Sequence, residues 1–250
     1  MKALMIAFSM YSRIPMPAFL WEEKDRKRAM CFFPLIGAVV GALFYGAYRF
    51  LEYKGAGSVL SAAILTAVPF FVTGGIHMDG FLDTCDARAS CGDREKKLEI
   101  LKDSHTGAFA VILGIFYVLF YFAACTELTG HMAGAAAAGF ILSRALSGFG
   151  AAVFPEARAH GMLSDFMKDV HKKQVAVVMA AFGASAACLM VKIGGRYGVL
   201  AVLSAVAVFV YYRRMVLMEF GGITGDLAGY FLQLCELSMV LSMVIGGYFI

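Results

Sequence analysis

The sequence predicts an all-α, polytopic helical membrane protein forming one domain over residues 1–250. Composition and run length carry that prediction. Hydrophobic residues make up 60% of the chain and charged residues 16%, against about 45–50% and about 25% in soluble domains. Mean hydropathy is +0.74. The apolar residues also gather in runs of about 17–23, the length of helix that crosses a ~30 Å hydrocarbon core. A β-barrel would instead alternate apolar and polar residues over about ten-residue strands. These features exclude a soluble enzyme, a disordered chain and a nucleic-acid binder held by a basic patch. The net charge is only +4.

Seven spans are predicted, near 29–51, 56–76, 106–127, 131–153, 173–193, 196–212 and 228–250. The fifth and sixth are separated by a turn of only a few residues between Lys192 and Arg196. Ahead of them, residues 1–10 put Lys2 before a short apolar stretch, but no small-residue cleavage signal follows and Pro15 and Pro17 come next. That pattern reads as an uncleaved interfacial or re-entrant segment. Six cysteines are scattered without a C-x-x-C pair, so neither a disulfide framework nor a zinc site is expected.

Charge sets the orientation. Of 22 Lys and Arg, 17 fall in one set of alternate segments, four in the other, and Arg144 lies inside the fourth span. The positive-inside rule then places the N-terminus in the cytoplasm and the C-terminus outside. The three longest polar loops, 77–105, 154–172 and 213–227, share the cytoplasmic side, so chemistry is expected there.

The most informative stretch runs from Gly74 to Arg88. Asp79, Asp83 and Asp86 stand at i, i+4 and i+7, which on a helix spreads them over about 60° of one face. Like charges on one helical face repel, and a bound divalent cation would remove the repulsion. Carboxylates are the hard oxygen ligands of Mg²⁺ or Mn²⁺. Gly80 leaves a small surface where a phosphate could approach. His77 is a candidate base or ligand, although helical spacing points it away from the aspartates. The remaining histidines read as solvated loop residues. Asp103 opens the third span, as a helix cap, as a fourth metal ligand, or as a base. Asp226, in the Gly-rich stretch 221–229, reads equally as a cap or as part of an anion site. Two charges lie inside spans, Arg144 and Glu236, either as functional groups or as a pair joining two helices. Acids clustered at one boundary suggest metal-assisted phosphoryl transfer. An ion transporter would carry them near the midplane of the bilayer.

At these residues the chain resembles a known family. Gly74–Ala87 (GGIHMDGFLDTCDA) followed by Ile100–Ile112 (ILKDSHTGAFAVI) is similar to the cobalamin synthases, the adenosylcobinamide-GDP ribazoletransferases. Ser12–Pro17, Phe32–Gly37, Ser143–Ala145 and Thr224–Asp226 resemble further elements of that family, so the likeness runs from about residue 8 to 236. His105 stands where the family usually has Arg, Ala87 where Gly is common, and Gln233 where an acid is common. The resemblance implies a Mg²⁺-dependent enzyme of a prokaryotic cytoplasmic membrane. It would join adenosylcobinamide-GDP to α-ribazole or α-ribazole 5′-phosphate and release GMP. On that reading Asp79, Asp83, Asp86 and Asp103 hold the metal, and Asp103 or His77 serves as base. Arg13, Gly80, Arg88, Ser104, Arg144 and Asp226 contact substrate. No nucleic-acid partner is expected, and a homo-oligomer stays open. A CDP-alcohol phosphotransferase is the alternative. Its motif requires Gly after the second Asp of D-x-x-D and a later D-x-x-x-D, whereas Ala87 follows Asp86 and the later motif is missing.

Overall fold

Helices dominate because a chain in lipid must satisfy its backbone polar groups internally. The computed structural model describes residues 2–17, 20, 22–103, 105–158, 163, 167 and 170–249. Ser104 and most of the 160s therefore lie outside the described residues. Six helices, some running on from a shorter helical turn, are long and apolar enough to cross a membrane, or seven spans if one sharply bent pair counts as a span.

In chain order, α1 (Lys2–Tyr11) is apolar but too short to cross. It packs on α2 (Glu23–Ala29) and α3 (Phe33–Tyr53), burying Ile6 and Ala7 completely. This agrees with the interfacial or re-entrant expectation. Then follow α4 (Ser58–Thr73), α5 (Ile76–Ala89), the short α6 (Arg94–Ile100) and α7 (Ala108–Thr126). The second half holds α8 (Gly130–Val153), α9 (Lys172–Gly194), α10 (Arg196–Met215), a π-helical turn at Val216–Phe220 and α11 (Gly225–Gly247). Only Gly195 separates α9 from α10, the tight turn expected there.

The Gly- and Ala-rich α8 is the central helix. It packs against α3, α9, α10 and α11, and 72% of its most apolar window is buried, against 28% for α7. Small residues let helix backbones approach closely in lipid. Gly37 and Gly41 on α3 lie so near the α8 carbonyls of Phe140 and Ala137 that neither position has room for a Cβ. α7 instead turns Phe109, Ile112, Phe116 and Phe120 outward, as a lipid-facing helix should.

The second predicted span departs from expectation. It ends at Thr73, and α5 leaves α4 at 94°. Gly74 and Gly75 adopt φ of +66° and +77°, a left-handed conformation that glycine accepts without steric cost. The aspartates therefore lie on a separate helix laid across α11 and α7. The three polar segments assigned to one side by charge do meet. The Arg88 and Lys97 side chains both reach Glu219, Arg158 donates to the Leu98 carbonyl, and Glu156 forms an isolated parallel bridge with Ile223.

Candidate functional site

All three motif aspartates lie on α5, as the spacing predicts, and the structure then separates them. Asp86 accepts from the backbone N–H groups of Gly107 (2.6 Å) and Ala110 (2.9 Å). A carboxylate on one helix thus caps the N-terminus of another, where free N–H groups and the helix dipole favour negative charge. Asp83 lies half-buried within electrostatic reach of Asp79, Asp226 and Asp86. Asp79 is exposed, and with Asp226 it lines a cavity of about 210 Å³ between α1, α3, α5, α8 and the start of α11.

Asp226 comes to α5 through glycine contacts. A Cβ on Gly80 would stand 2.7 Å from the Asp226 carbonyl oxygen, and one on Gly229 would stand 2.9 Å from the His77 carbonyl oxygen. The two helices therefore touch backbone to backbone. Gly80 leaves no free surface for phosphate; its open side is filled by α11. The cap reading of Asp226 also gives way, because Thr224 Oγ1 accepts from Leu227 N–H at 3.2 Å and supplies that cap. The Asp226 carboxylate is left to face the cavity.

Asp103 is not among the acids around Asp83. It lies in the exposed segment before α7 and accepts from the His105 N–H (3.0 Å), with His105 Nδ1 at 2.6 Å. The His105 side-chain hydrogen bond holds the Asp103 carboxyl below the usual carboxylate range. It does not cap α7, since Asp86 does. Ser104 lies outside the described residues.

The arginines are also redistributed. Arg88 meets Glu219 through two nitrogens (3.0 and 3.2 Å) and donates to the hydroxyls of Tyr211 (2.6 Å) and Tyr230 (3.1 Å). Its guanidinium is thereby committed to tying α5 to the π-helical turn, α10 and α11 rather than to a phosphate. Arg144 is buried between α8 and α11, paired with Glu236 and bonded to Ser143 Oγ. It is the internal pair of the alternative reading and is not among the residues that line the cavity beside Asp79 and Asp226. Arg13 is exposed at the α4–α5 break, with its side chain lying over Gly74.

The cation at the cavity is Arg158, which sequence reasoning counted only as a loop charge. Backbone pairing places it there: Ala157 N–H donates to the Ile223 carbonyl at 3.0 Å, and Ile223 N–H to Pro155 at 2.8 Å. Arg158 then lines the cavity and interacts with Asp226. No local motif marks it, since its partner strand segment lies some 65 residues downstream. His77 also lines the cavity. It is 5% exposed, meets Phe33 edge-on at 6.1 Å, and its Nε2 has no hydrogen-bond partner.

Among the described residues, no three His, Cys, Asp or Glu side chains already close on a point. The charged groups within electrostatic reach of Asp83 are nonetheless all carboxylates, the chemistry of a hard cation that keeps several waters. The arrangement is that of a polytopic membrane protein whose acids gather where three inter-helix segments meet, beside one arginine.

Comparison with known proteins gives the class a family. The cobalamin-5-phosphate synthase family model matches residues 3–244. A relative from Lachnoclostridium phytofermentans, an adenosylcobinamide-GDP ribazoletransferase, is 42% identical, with 98% of this chain and 94% of the relative covered. Proteins with the same name from Clostridium botulinum strain Alaska E43 and Pseudomonas fluorescens are each 33% identical. They cover 94% and 97% of this chain and the same shares of themselves. No solved structure matches. The chain belongs to the cobalamin-5-phosphate synthase family, whose named relatives are transferases of cobalamin synthesis.

Proposed function

We propose that the protein joins adenosylcobinamide-GDP to α-ribazole, or to α-ribazole 5′-phosphate, and releases GMP. The reading rests on family membership and, in the structure, on one observation: Asp79 and Asp226 line one cavity with Arg158, and Asp83 lies within electrostatic reach of both acids. A ribazole hydroxyl forms a new bond to the phosphorus carrying the cobinamide arm. The bond from that phosphorus to the GMP oxygen breaks, and the hydroxyl proton passes to a carboxylate. Such a transfer needs alignment and charge stabilisation more than covalent help from the protein.

Asp79, Asp83 and Asp226 would hold Mg²⁺, which would stabilise charge on the transferring phosphoryl group. Asp79, exposed at the cavity, is the proton acceptor. Arg158 meets phosphate oxygens, and exposed Arg13 is the second cation for the donor diphosphate. Asp86 fixes α7 against α5 and so sets the outlook of Asp83. Asp103 stands outside this set, with its carboxylate engaged by His105. A cytoplasmic site is supported by the basic residues of the converging segments under the positive-inside rule, and nucleotide substrates are found on that side.

The test uses purified protein in nanodiscs with adenosylcobinamide-GDP, α-ribazole and Mg²⁺. Matched formation of GMP and a cobalamin is expected. Parallel reactions with ribazole and its 5′-phosphate decide the acceptor, and omission of Mg²⁺ with added chelator should stop turnover.

A further inference from the structure

On the π-helical turn, a few residues ahead of Asp226, one carboxylate holds two cations. Glu219 accepts from Arg88 of α5 at 3.0 and 3.2 Å and from Lys97 of α6 at 2.9 Å. Two helices are thus fastened to a single side chain. Arg88 Nη1 donates in addition to the hydroxyls of Tyr211 on α10 and Tyr230 on α11. Glu219 is not among the residues that line the cavity beside Asp79 and Asp226, so any effect it has on the chemistry passes through its neighbours.

The chain after Glu219 supplies the connection. Gly221 turns the backbone at φ +71°, and the Arg94 guanidinium of α6 lies over it where a Cβ would stand. Gly222 donates its N–H to the Val216 carbonyl at 3.0 Å, and Ile223 pairs with Pro155 and Ala157. Ala157 precedes Arg158, whose guanidinium donates to the carbonyl of Leu98, the residue after Lys97. The contacts close a circuit: Glu219 to Lys97, Leu98 to Arg158, Ala157 to Ile223, and Ile223 back along the chain to Glu219. Arg158 belongs to that circuit, and Asp226 leaves it to open α11.

Resting on the proposed transferase reading, we infer that Glu219 is a positioning residue of the phosphoryl transfer: it clamps α5 and α6 to the turn that delivers Asp226, and so fixes Asp226 and Arg158 relative to the acids of α5. Without its charge, Arg88 and Lys97 are left as neighbouring like charges, and their repulsion loosens α6 from the turn. A misplacement of about 1 Å in such an arrangement can cost ~10²-fold in rate.

Two measurements on the full chain in nanodiscs test the inference. Hydrogen exchange, read by mass spectrometry, follows the bonded amides of Gly222, Ile223 and Ala157 and needs neither substrate nor metal. In Glu219→Gln, segments 155–158 and 216–224 should exchange at least about tenfold faster, while α8 keeps the exchange of the unmodified protein. The kcat with adenosylcobinamide-GDP and α-ribazole should fall at least about tenfold, with the KM of each substrate little changed. Glu219→Asp, which keeps the charge, should recover part of both losses. Lys97→Met should shift both readouts in the same direction, and adding it to Glu219→Gln should make neither worse. Glu99→Gln, which removes the exposed Lys96–Glu99 pair on the same helix, should change neither. Unchanged exchange at 216–224 or unchanged kcat in Glu219→Gln overturns the inference. So does faster exchange spread equally over α8, which marks a general loss of structure. Where Glu219→Gln fails to insert, Lys97→Met decides by the same two readouts. Absence of GMP release from the unmodified protein sinks the transferase reading instead, and the exchange result still judges the clamp.

Discussion

Asp83 and Asp86 stand three residues apart on one helix, yet the structure gives them different partners. Asp86 binds two backbone N–H groups at the start of α7, while Asp83 lies within electrostatic reach of Asp79 and Asp226. Removing the cap should cost about 0.5–2 kcal/mol, so Asp86→Ala is expected to lower the thermal midpoint in detergent by a few degrees. Asp103→Asn should leave that midpoint unchanged, and an equal drop in both would show that Asp103 supports α7 after all. Asp83→Asn is expected to keep the midpoint but lose at least ~10²-fold in turnover, about 2.7 kcal/mol of transition-state stabilisation. Arg144 offers a contrast, since its charge is buried against Glu236. Arg144→Met should destabilise by about 3–5 kcal/mol because it strands a buried carboxylate. The double variant with Glu236→Met should regain most of that loss, as seen by thermal unfolding. Sequence spacing cannot make these distinctions. It puts three aspartates on one face but does not say which neighbouring helix end each one meets.

Among the helices, α5 and α11 decide the site, and their contact is made by glycine. Gly80 meets the backbone of Asp226, and Gly229 that of His77. Gly80→Val should push α11 away from α5 and move Asp226, so turnover is expected to fall more than tenfold while the protein still inserts. Unchanged turnover in that variant would show that the close approach is not required. The apolar runs disclosed the long helices to within a few residues, because hydrophobic length is a local property. The tight α9–α10 turn was equally visible between Lys192 and Arg196. The 94° break after Thr73 was not expected: Gly74 and Gly75 permit it with left-handed φ, but whether and how far the chain bends depends on what α5 packs against. The π-helical turn at Val216–Phe220, which presents Glu219 to Arg88, carries no local mark at all. Nor does Arg158, delivered by pairing between distant segments.

For the molecule as a whole, the alternating charge of its loops and the meeting of three polar segments give the same sidedness. Cys91 is exposed at that end, between α5 and α6. A membrane-impermeant maleimide should leave Cys91 unlabelled in intact cells and label it after permeabilisation. Cysteines placed at Lys54 and Gly130 should behave in the reverse way, and labelling of Cys91 in intact cells would invert the assigned orientation. The same gathering of segments underlies the central claim, that carboxylates from α5 and α11 together carry out phosphoryl transfer. The most direct measurement is GMP release from adenosylcobinamide-GDP and α-ribazole, compared between the unmodified protein and Asp83→Asn and Asp226→Asn, each in nanodiscs over a Mg²⁺ titration. The account requires stoichiometric GMP and cobalamin from the unmodified protein, and losses of at least ~10²-fold in both variants at saturating Mg²⁺. Undiminished GMP release by both variants would contradict it.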